Sequence, residues 1–337
     1  MTSVSVSTSA VLAEPLLAVR DLSVGLRTRS GVTPLVRGVS LDVRPGERVG
    51  LVGESGSGKS LTLLAAMGLL ASPPLVVTGG SVRLGGTELV GAPDRVLRGF
   101  RGSQIAMIYQ DPMTSLDPVQ RVGAQIAEGL RAHGASRRDA FERTLAVLAE
   151  VQLPDPARLA RAYPHQLSGG MRQRVMIAAA LAGNPRLLLA DEPTTALDVT
   201  IQRQILRLIA RLQQARNLAV LWVTHDLGVA AQFVQRLAVM YAGRIVEFGP
   251  TGAVFAEPQH PYTAALLRSV PSATGSRVAL GQIPGSPPDP ARLPPGCSFT
   301  PRCGQARPSC SLTDPVLEAR GRSVEAACLV PVSEWRS

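Results

Sequence analysis

Lysine and aromatic residues are scarce in this sequence. Lys59 is the single lysine among 35 basic residues, and all the others are arginine. Aromatic residues make up only 4% of the chain, so the net charge of +10 comes without the stacking surface that nucleic-acid-binding proteins use. We therefore expect no nucleic-acid partner. The positive charge fits a solvated basic face, and it also fits attraction to an anionic membrane surface or to an acidic partner.

Long apolar runs are missing as well. No stretch of about 18 uncharged apolar residues occurs, which predicts that no helix spans the bilayer. Residues 1–14 lack the basic start and the apolar centre of a signal peptide, so we interpret them as a flexible tail and expect the chain to stay in the cytoplasm. The 337 residues are enough for one large α/β domain or two smaller ones.

One glycine-rich stretch carries the clearest chemistry. Residues 53–60 fit the phosphate-binding pattern G-x-x-x-x-G-K-[ST], between a predicted strand at 48–52 and a predicted helix that begins near residue 61. The glycines let backbone N–H groups surround phosphate oxygens, Lys59 supplies a mobile positive charge, and the Ser60 hydroxyl can ligate Mg²⁺. The predicted nucleotide-binding residues of this stretch are Gly53, Glu54, Ser55, Gly56, Ser57, Gly58, Lys59, Ser60 and Leu61.

Acidic and imidazole side chains follow two further apolar runs. Asp191 and Glu192 come after residues 186–190, and His225 comes after residues 218–224. Both runs are typical of buried parallel strands, whose carboxyl ends form the ligand-binding edge of an α/β sheet. Asp191 is therefore a candidate Mg²⁺ ligand, Glu192 can orient or deprotonate a water molecule, and His225 can donate a hydrogen bond to a phosphate.

A second anion site is predicted at the start of a later helix. Residues 122–163 show helical periodicity, and an alanine-rich helix follows them. Ser168 is well placed as the N-cap of that helix, and Gly169 and Gly170 leave the amides of its first turn uncovered. Such a helix end can bind an anion.

In this order, the motifs resemble those of the nucleotide-binding subunit of an ABC transporter. The matching elements are Walker A at 53–60, the Q-loop at Gln110, the signature at 167–171, Walker B at 187–191, the D-loop at 196–198 and the switch histidine at His225. The resemblance implies that two such domains stack head to tail around two ATP molecules. Each ATP would then be held by one Walker A and by the signature of the other domain.

The resemblance also implies residue roles. Glu192 would be the catalytic carboxylate, assisted by His225 and Gln110. Mg²⁺ would be held by Ser60, Gln110 and Asp191, and the ATP bound by the partner would be contacted by Ser168, Gly169, Gly170 and Asp198.

Two positions depart from the family pattern. Met171 stands where glutamine is commonest in the signature, and Leu26 stands where an aromatic residue usually stacks on adenine.

The fold implied by the resemblance is a P-loop NTPase of the α/β class. It has a RecA-like core, an antiparallel β subdomain beginning with strands near 16–24 and 39–43, and a helical subdomain at about 112–180. We assign residues 15–257 to the nucleotide-binding domain and residues 258–337 to a small cysteine-containing extension.

Details outside the shared motifs indicate a branch of the family. Residues 109–118, 260–263, 283–290 and 296–303 are similar to stretches found in the ATPases of dipeptide, oligopeptide and nickel importers. This resemblance implies a motor subunit at the cytoplasmic face of the cell membrane. Its partners would be a second ATPase that is a paralogue of this chain, two permease subunits and an extracytoplasmic solute-binding protein. Nickel or another small solute stays open as the cargo, and so does a soluble ABC ATPase without a transport role.

All four cysteines fall in the extension, at Cys297, Cys303, Cys310 and Cys328. A short segment without a core needs a staple, and disulfides are disfavoured in the cytoplasm. Zinc and free thiols both stay open, although the close C-x₂-C pair of many zinc sites is missing. The resemblance to peptide-importer ATPases implies a [4Fe-4S] cluster with a structural role, for which four thiolates are a normal ligand set.

Overall fold

The structure is a computed structural model that describes residues 14–111, 115–195, 197–269, 282–321 and 323–335. Most of the predicted tail, residues 112–114 at the predicted start of the helical subdomain, and Ala196 of the predicted D-loop lie outside the described residues. The strands are β1 Leu17–Thr28, β2 Gly31–Val43, β3 Arg48–Val52, β4 Leu75–Leu84, β5 Thr87–Glu88, β6 Ile105–Ile108, β7 Leu187–Asp191, β8 Ala219–Thr224, β9 Arg236–Tyr241, β10 Arg244–Pro250, β11 Glu318–Arg320 and β12 Val324–Ala326.

The larger sheet has eight strands in the order β11-β12-β10-β9-β3-β8-β7-β6. Strand β3 pairs in parallel with β8 and β9, and β7 pairs in parallel with β6 and β8. The carboxyl ends of β3, β7 and β8 therefore meet at one edge of the sheet. The glycine-rich loop, Glu192 and His225 directly follow these three ends, and Asp191 is the last residue of β7, which is why residues distant in sequence come together.

Burial explains why the apolar runs form strands. Every residue of β7 and of β8 is buried, as predicted from their continuous hydrophobic sequences. Trp222 of β8 is fully buried, and its ring lies 4.7 Å from that of Phe233, between ring centroids. The sheet edge that carries the polar residues thus rests on a closely packed core.

The smaller sheet is antiparallel, as predicted, with the strand order β2-β1-β4-β5. Strand β1 pairs along its length with β2 on one side and with β4 on the other. Its buried side chains, including Leu17 and Leu22, pack in one cluster with side chains of the larger sheet such as Leu51. The two sheets therefore share a hydrophobic core beside the glycine-rich loop.

The helices are α1 Lys59–Ala66, α2 Asp94–Phe100, α3 Val122–Ala132, α4 Arg137–Glu150, α5 Pro156–Ala160, α6 Gly169–Leu181, α7 Val199–Arg216, α8 Leu227–Phe233, α9 Thr251–Ala256 and α10 Pro261–Arg268. Helices α3 to α6 contact one another and form the predicted helical subdomain. Local capping sets their starts: Ser136 accepts a hydrogen bond from the Asp139 N–H, and Asp155 accepts one from the Arg158 N–H. In the part of the chain that the structure describes, no helix combines the length and apolar character needed to cross a membrane.

The C-terminal residues join the larger sheet. Strand β12 pairs antiparallel with β10, and β11 pairs with β12. The Phe299 ring lies 5.2 Å from the Tyr241 ring and 5.4 Å from the Tyr262 ring, between centroids, inside the main hydrophobic cluster. Residues assigned to the extension thus pack directly on the nucleotide-binding domain. The boundary at 257/258 stays a prediction.

Candidate nucleotide site

The glycine-rich loop at residues 53–60 is called the phosphate loop below. Glycine is required at two of its positions. Gly53 has φ 154°, and a Cβ atom there would lie 2.1 Å from the backbone oxygen of Met240. Gly58 has φ 105° and is the N-cap of α1. A side chain at Gly53 would collide with the neighbouring strand, and most side chains at Gly58 would strain the backbone. The loop therefore stays close to β9 while it turns into the helix.

Lys59 lies inside the loop that precedes it. Its Nζ atom donates to the backbone oxygens of Gly53, at 2.8 Å, and of Glu54, at 2.9 Å. The residue is only 6% exposed, and burial lowers the pKa of its amine, while the nearby carboxylates of Asp191 and Glu192 oppose that shift. A compact ammonium group held in this way is suited to meet phosphate oxygens.

Ser60 and Asp191, two of the predicted Mg²⁺ ligands, are in direct contact. The Ser60 hydroxyl donates to Asp191 Oδ1 at 3.0 Å. Asp191 is 7% exposed at the end of β7, and burial raises the pKa of its carboxyl, although the Ser60 hydrogen bond acts in the opposite direction. A hydroxyl and a carboxylate side by side are oxygen ligands of the kind that Mg²⁺ prefers.

Three side chains converge on one carboxylate oxygen. Glu192 Oε2 accepts hydrogen bonds from Gln110 Nε2 at 3.3 Å and from the Thr195 hydroxyl at 3.0 Å, and it lies 3.0 Å from His225 Nδ1. Glu192 has φ 46°, a left-handed conformation that is uncommon for glutamate, and its N–H donates to the Val223 backbone oxygen at 3.0 Å. Backbone strain of this kind concentrates at functional sites. The structure brings together all three residues predicted to be catalytic.

A cleft of about 580 Å³ opens between these groups. It is lined by Leu35, Ser55, Gly56, Gly58, Lys59, Ser60, Leu61, Gln110, Glu192, Thr195 and His225. Most of these residues were predicted from the sequence, but Thr195 and Leu35 were not. The position of Thr195, three residues after Glu192 on the same loop, was a usable signal, whereas Leu35 belongs to a strand with no motif of its own.

The start of α6 has the predicted form but does not line this cleft. Ser168 caps α6, accepting from the Met171 N–H at 3.4 Å, and Asp198 caps α7, accepting from the Ile201 N–H at 2.9 Å. A Cβ atom added at Gly169 would meet no heavy atom within 4 Å, while one at Gly170 would lie 3.1 Å from Ile201 Cγ2. The helix surface at Gly169 therefore borders open space.

Leu26, which stands where an aromatic residue usually stacks on adenine, is half-buried. It lies on β1, paired with Thr33 of β2 on one side and with Leu75 of β4 on the other. It is not among the residues that line the cleft. The apolar side chain that does line it is Leu35, on the adjacent strand β2.

The four cysteines approach one another in the extension. The Cys297 N–H donates to the Cys310 backbone oxygen at 2.8 Å, and burial raises the pKa of Cys297 and of Cys328, and that of Cys303 to about 11. Repulsion between neighbouring thiolates acts in the same direction. Across the described residues, however, no group of three or more His, Cys, Asp or Glu side chains is arranged to hold a metal ion. The iron-sulfur and zinc interpretations of Cys297, Cys303, Cys310 and Cys328 therefore stay predictions.

Two family models match parts of this chain. Residues 36–195 match the family model described as ABC transporter, and residues 246–310 match the one described as oligopeptide/dipeptide transporter, C-terminal region. The chain is 47% identical over 323 residues to the oligopeptide transport ATP-binding protein OppD of Salmonella typhimurium, an alignment that covers 96% of each chain.

Solved structures show the same fold. The dimeric structure of MJ0796, described as a bacterial ABC transporter cassette, has a TM-score of 0.62 and 29% identity, and the match covers 70% of this chain and 98% of that one. A dimeric post-hydrolysis state of MJ0796 bound to ADP and Pi gives the same TM-score and coverage, with 30% identity. The chain therefore belongs to the ATP-binding proteins of ABC transporters, in the branch that carries the oligopeptide and dipeptide transporter C-terminal region.

Proposed function

We propose that this chain is the ATP-hydrolysing motor subunit of an ABC importer for dipeptides and oligopeptides. The observation that carries the proposal is the convergence of Gln110, Thr195 and His225 on one oxygen of Glu192, beside the loop that holds Lys59. The peptide cargo is supported by the similarity to OppD, an oligopeptide transport protein, over 96% of the chain.

The residues of the cleft divide the chemistry between them. Lys59 and the loop amides bind the phosphates of ATP, and the side chains of Ser60, Asp191 and Gln110 would hold Mg²⁺, which neutralises phosphate charge when it is bound. Glu192 orients a water molecule and accepts its proton, because a carboxylate with one oxygen fixed keeps the other available for water. His225, 55% exposed at its side chain, donates to the terminal phosphate.

A complete site requires a second nucleotide-binding domain. The uncovered helix end at Ser168, Gly169 and Gly170, together with Asp198, serves the ATP held by the phosphate loop of the partner. Support comes from the open space at Gly169 and from the dimeric form of the related MJ0796 cassette. We propose a paralogous ATPase as the partner, beneath two permease subunits at the cytoplasmic face of the membrane, with an extracytoplasmic protein delivering the solute.

The proposed function is tested by assembling the complex. The chain is purified by an affinity tag from gently solubilised native membranes, and co-purifying proteins are identified by mass spectrometry. We expect two permeases, a second ATPase and a solute-binding protein, and ATP hydrolysis that rises when peptide-loaded binding protein is added. Stimulation by nickel and not by peptides would reassign the cargo. Ribosomal or DNA-bound partners without any membrane protein would refute transport.

We further propose that the four cysteines bind a [4Fe-4S] cluster with a structural role. Cys297, Cys303 and Cys328 each receive a backbone N–H hydrogen bond from the residue two positions later, a pattern that stabilises metal-bound thiolates. The test is iron and acid-labile sulfide analysis of protein prepared without oxygen. About four of each per chain is the result expected of this cluster type. Stoichiometric zinc without iron, or no metal at all, would overturn the proposal.

A further inference from the structure

An arginine of the C-terminal extension is bound to the phosphate loop. Both terminal nitrogens of Arg302 donate to the Glu54 carboxylate, Nη1 to Oε2 at 2.7 Å and Nη2 to Oε1 at 2.9 Å. The arginine side chain is only 5% exposed, and the glutamate side chain is 24% exposed. A bidentate ion pair that is largely shielded from water is both strong and directional. Removal of either partner leaves the other charge poorly solvated.

Glu54 is held at all of its polar groups. Besides the carboxylate contact, its N–H donates to the Tyr262 hydroxyl at 2.9 Å, and its backbone oxygen accepts from Lys59 Nζ at 2.9 Å. Tyr262 is fully buried and, like Arg302, belongs to the residues assigned to the extension. Two side chains from far along the chain thus fix the second residue of the phosphate-binding motif.

The arginine is itself held in place by other contacts. Its Nε donates to the Pro284 backbone oxygen at 2.8 Å, and its Nη1 lies 3.4 Å from the Tyr241 hydroxyl. Tyr241 follows Met240, whose backbone oxygen packs against Gly53. The guanidinium group therefore links the extension, strand β9 and the phosphate loop in one contiguous set of contacts.

The ion pair between Arg302 and Glu54 affects the charge that ATP meets at the phosphate loop. A phosphate loop has to accept a polyanion, and an uncompensated carboxylate within the loop would repel it. We propose that Arg302 is a positioning residue for ATP binding, which neutralises Glu54 and holds the phosphate loop in its ATP-binding conformation. The inference rests on the proposed nucleotide site. It also makes the extension an integral part of that site.

The test measures ATP affinity of the full-length chain by calorimetry, with Arg302→Ala, Glu54→Gln and the double variant. We expect Arg302→Ala to weaken ATP binding about tenfold, and more at low salt than at high salt, because the unpaired carboxylate acts through charge. Adding Glu54→Gln to Arg302→Ala removes that charge and should restore most of the affinity. Arg302→Lys, which keeps the charge but not the fork, should fall between.

Matched controls separate this effect from a loss of folding. Arg307→Ala removes another arginine of the extension, one paired with Glu334 on the surface, and should leave ATP affinity unchanged. Thermal unfolding is recorded for each variant. If Arg302 had only a structural role, Arg302→Ala would lower the unfolding temperature, and adding Glu54→Gln would not restore ATP affinity. Unchanged affinity in Arg302→Ala, or absence of that rescue, overturns the inference. Failure of the wild type to bind ATP any better than Lys59→Ala would instead overturn the nucleotide site itself.

Discussion

At the scale of single residues, Glu192 is the centre of the site. One of its carboxylate oxygens takes part in three contacts, to Gln110, Thr195 and His225, and its backbone is in a left-handed conformation. The three partners stay in place if the carboxylate becomes an amide of the same shape. Glu192 can therefore be tested by a substitution that removes the proton acceptor with little change in packing.

We predict that Glu192→Gln retains ATP binding and lowers ATP hydrolysis by the assembled complex at least about a hundredfold, the size of effect typical of a lost general base. The measurement is single-turnover hydrolysis together with the amount of ATP that stays bound. Glu142→Gln is the matched control, because Glu142 lies on the exposed face of α4, paired with Arg138. Undiminished hydrolysis in the Glu192 variant would refute the role given to this carboxylate.

His260 provides a residue-scale prediction on pH. It is 1% exposed, its Nδ1 accepts from the Tyr262 N–H at 3.0 Å, and burial lowers its pKa from 6.5 to about 3. Below pH 6.5 the unfolded chain binds a proton that the folded chain does not, so the free energy of unfolding falls as pH falls, by up to about 1.4 kcal/mol per pH unit.

The comparison is urea unfolding of the wild type and of His260→Asn, which can still cap α10, between about pH 4.5 and 8. The stability of the wild type relative to the variant should decrease steadily below pH 6.5. Glu247, which accepts from the His260 N–H and whose pKa burial raises to about 7, titrates in both proteins, so its contribution cancels in the difference. A difference that does not change with pH would contradict the prediction.

At the scale of elements, a substitution at the start of α6 should change ATP hydrolysis without changing the stability of the fold. A Cβ atom at Gly169 meets nothing within 4 Å, so Gly169→Ala should leave the free energy of unfolding within about 0.5 kcal/mol of the wild type or raise it slightly. The same methyl group would occupy the space that we assign to the ATP of the partner domain. We predict at least a tenfold loss of ATP hydrolysis in the assembled complex, about the cost of displacing one phosphate contact.

The control for this prediction is Gly252→Ala in α9, where an added Cβ also meets open space. That variant should hydrolyse ATP at the wild-type rate. Equal activity of both variants would show that the start of α6 does not contact nucleotide.

The same scale explains what could be predicted from the sequence. Strands β7 and β8 are continuous apolar runs followed by polar residues, so both the strands and the candidate catalytic groups at their ends follow from local pattern. Strand β12 has only three residues, too few to show alternation, and its partner β10 lies more than seventy positions earlier. The Arg302 contact with Glu54 spans 248 positions and has no motif. Pairings of that kind are set by packing of the whole chain.

At the scale of the whole molecule, the extension and the nucleotide-binding domain share one hydrophobic core. Phe299 is 2% exposed and packs its ring against Tyr241 and Tyr262, and Val324 of β12 belongs to the same cluster. A segment that completes the sheet and the core of its neighbour cannot unfold without exposing apolar surface on both sides. We therefore expect the two parts to unfold together.

Phe299→Ala tests this coupling. Removal of a buried ring costs about 3–5 kcal/mol, and we predict that the variant lowers the temperature of one common unfolding transition, seen by calorimetry. Leu312→Ala is the control, because Leu312 is 84% exposed in the same extension and should leave that temperature unchanged. ATP should raise the transition temperature of both parts together, since ligand binding stabilises whatever unfolds with its site. Two separate transitions in Phe299→Ala would contradict this prediction. If the transition at lower temperature were new, and only the unchanged transition at higher temperature responded to ATP, residues 258–337 would be an independent domain.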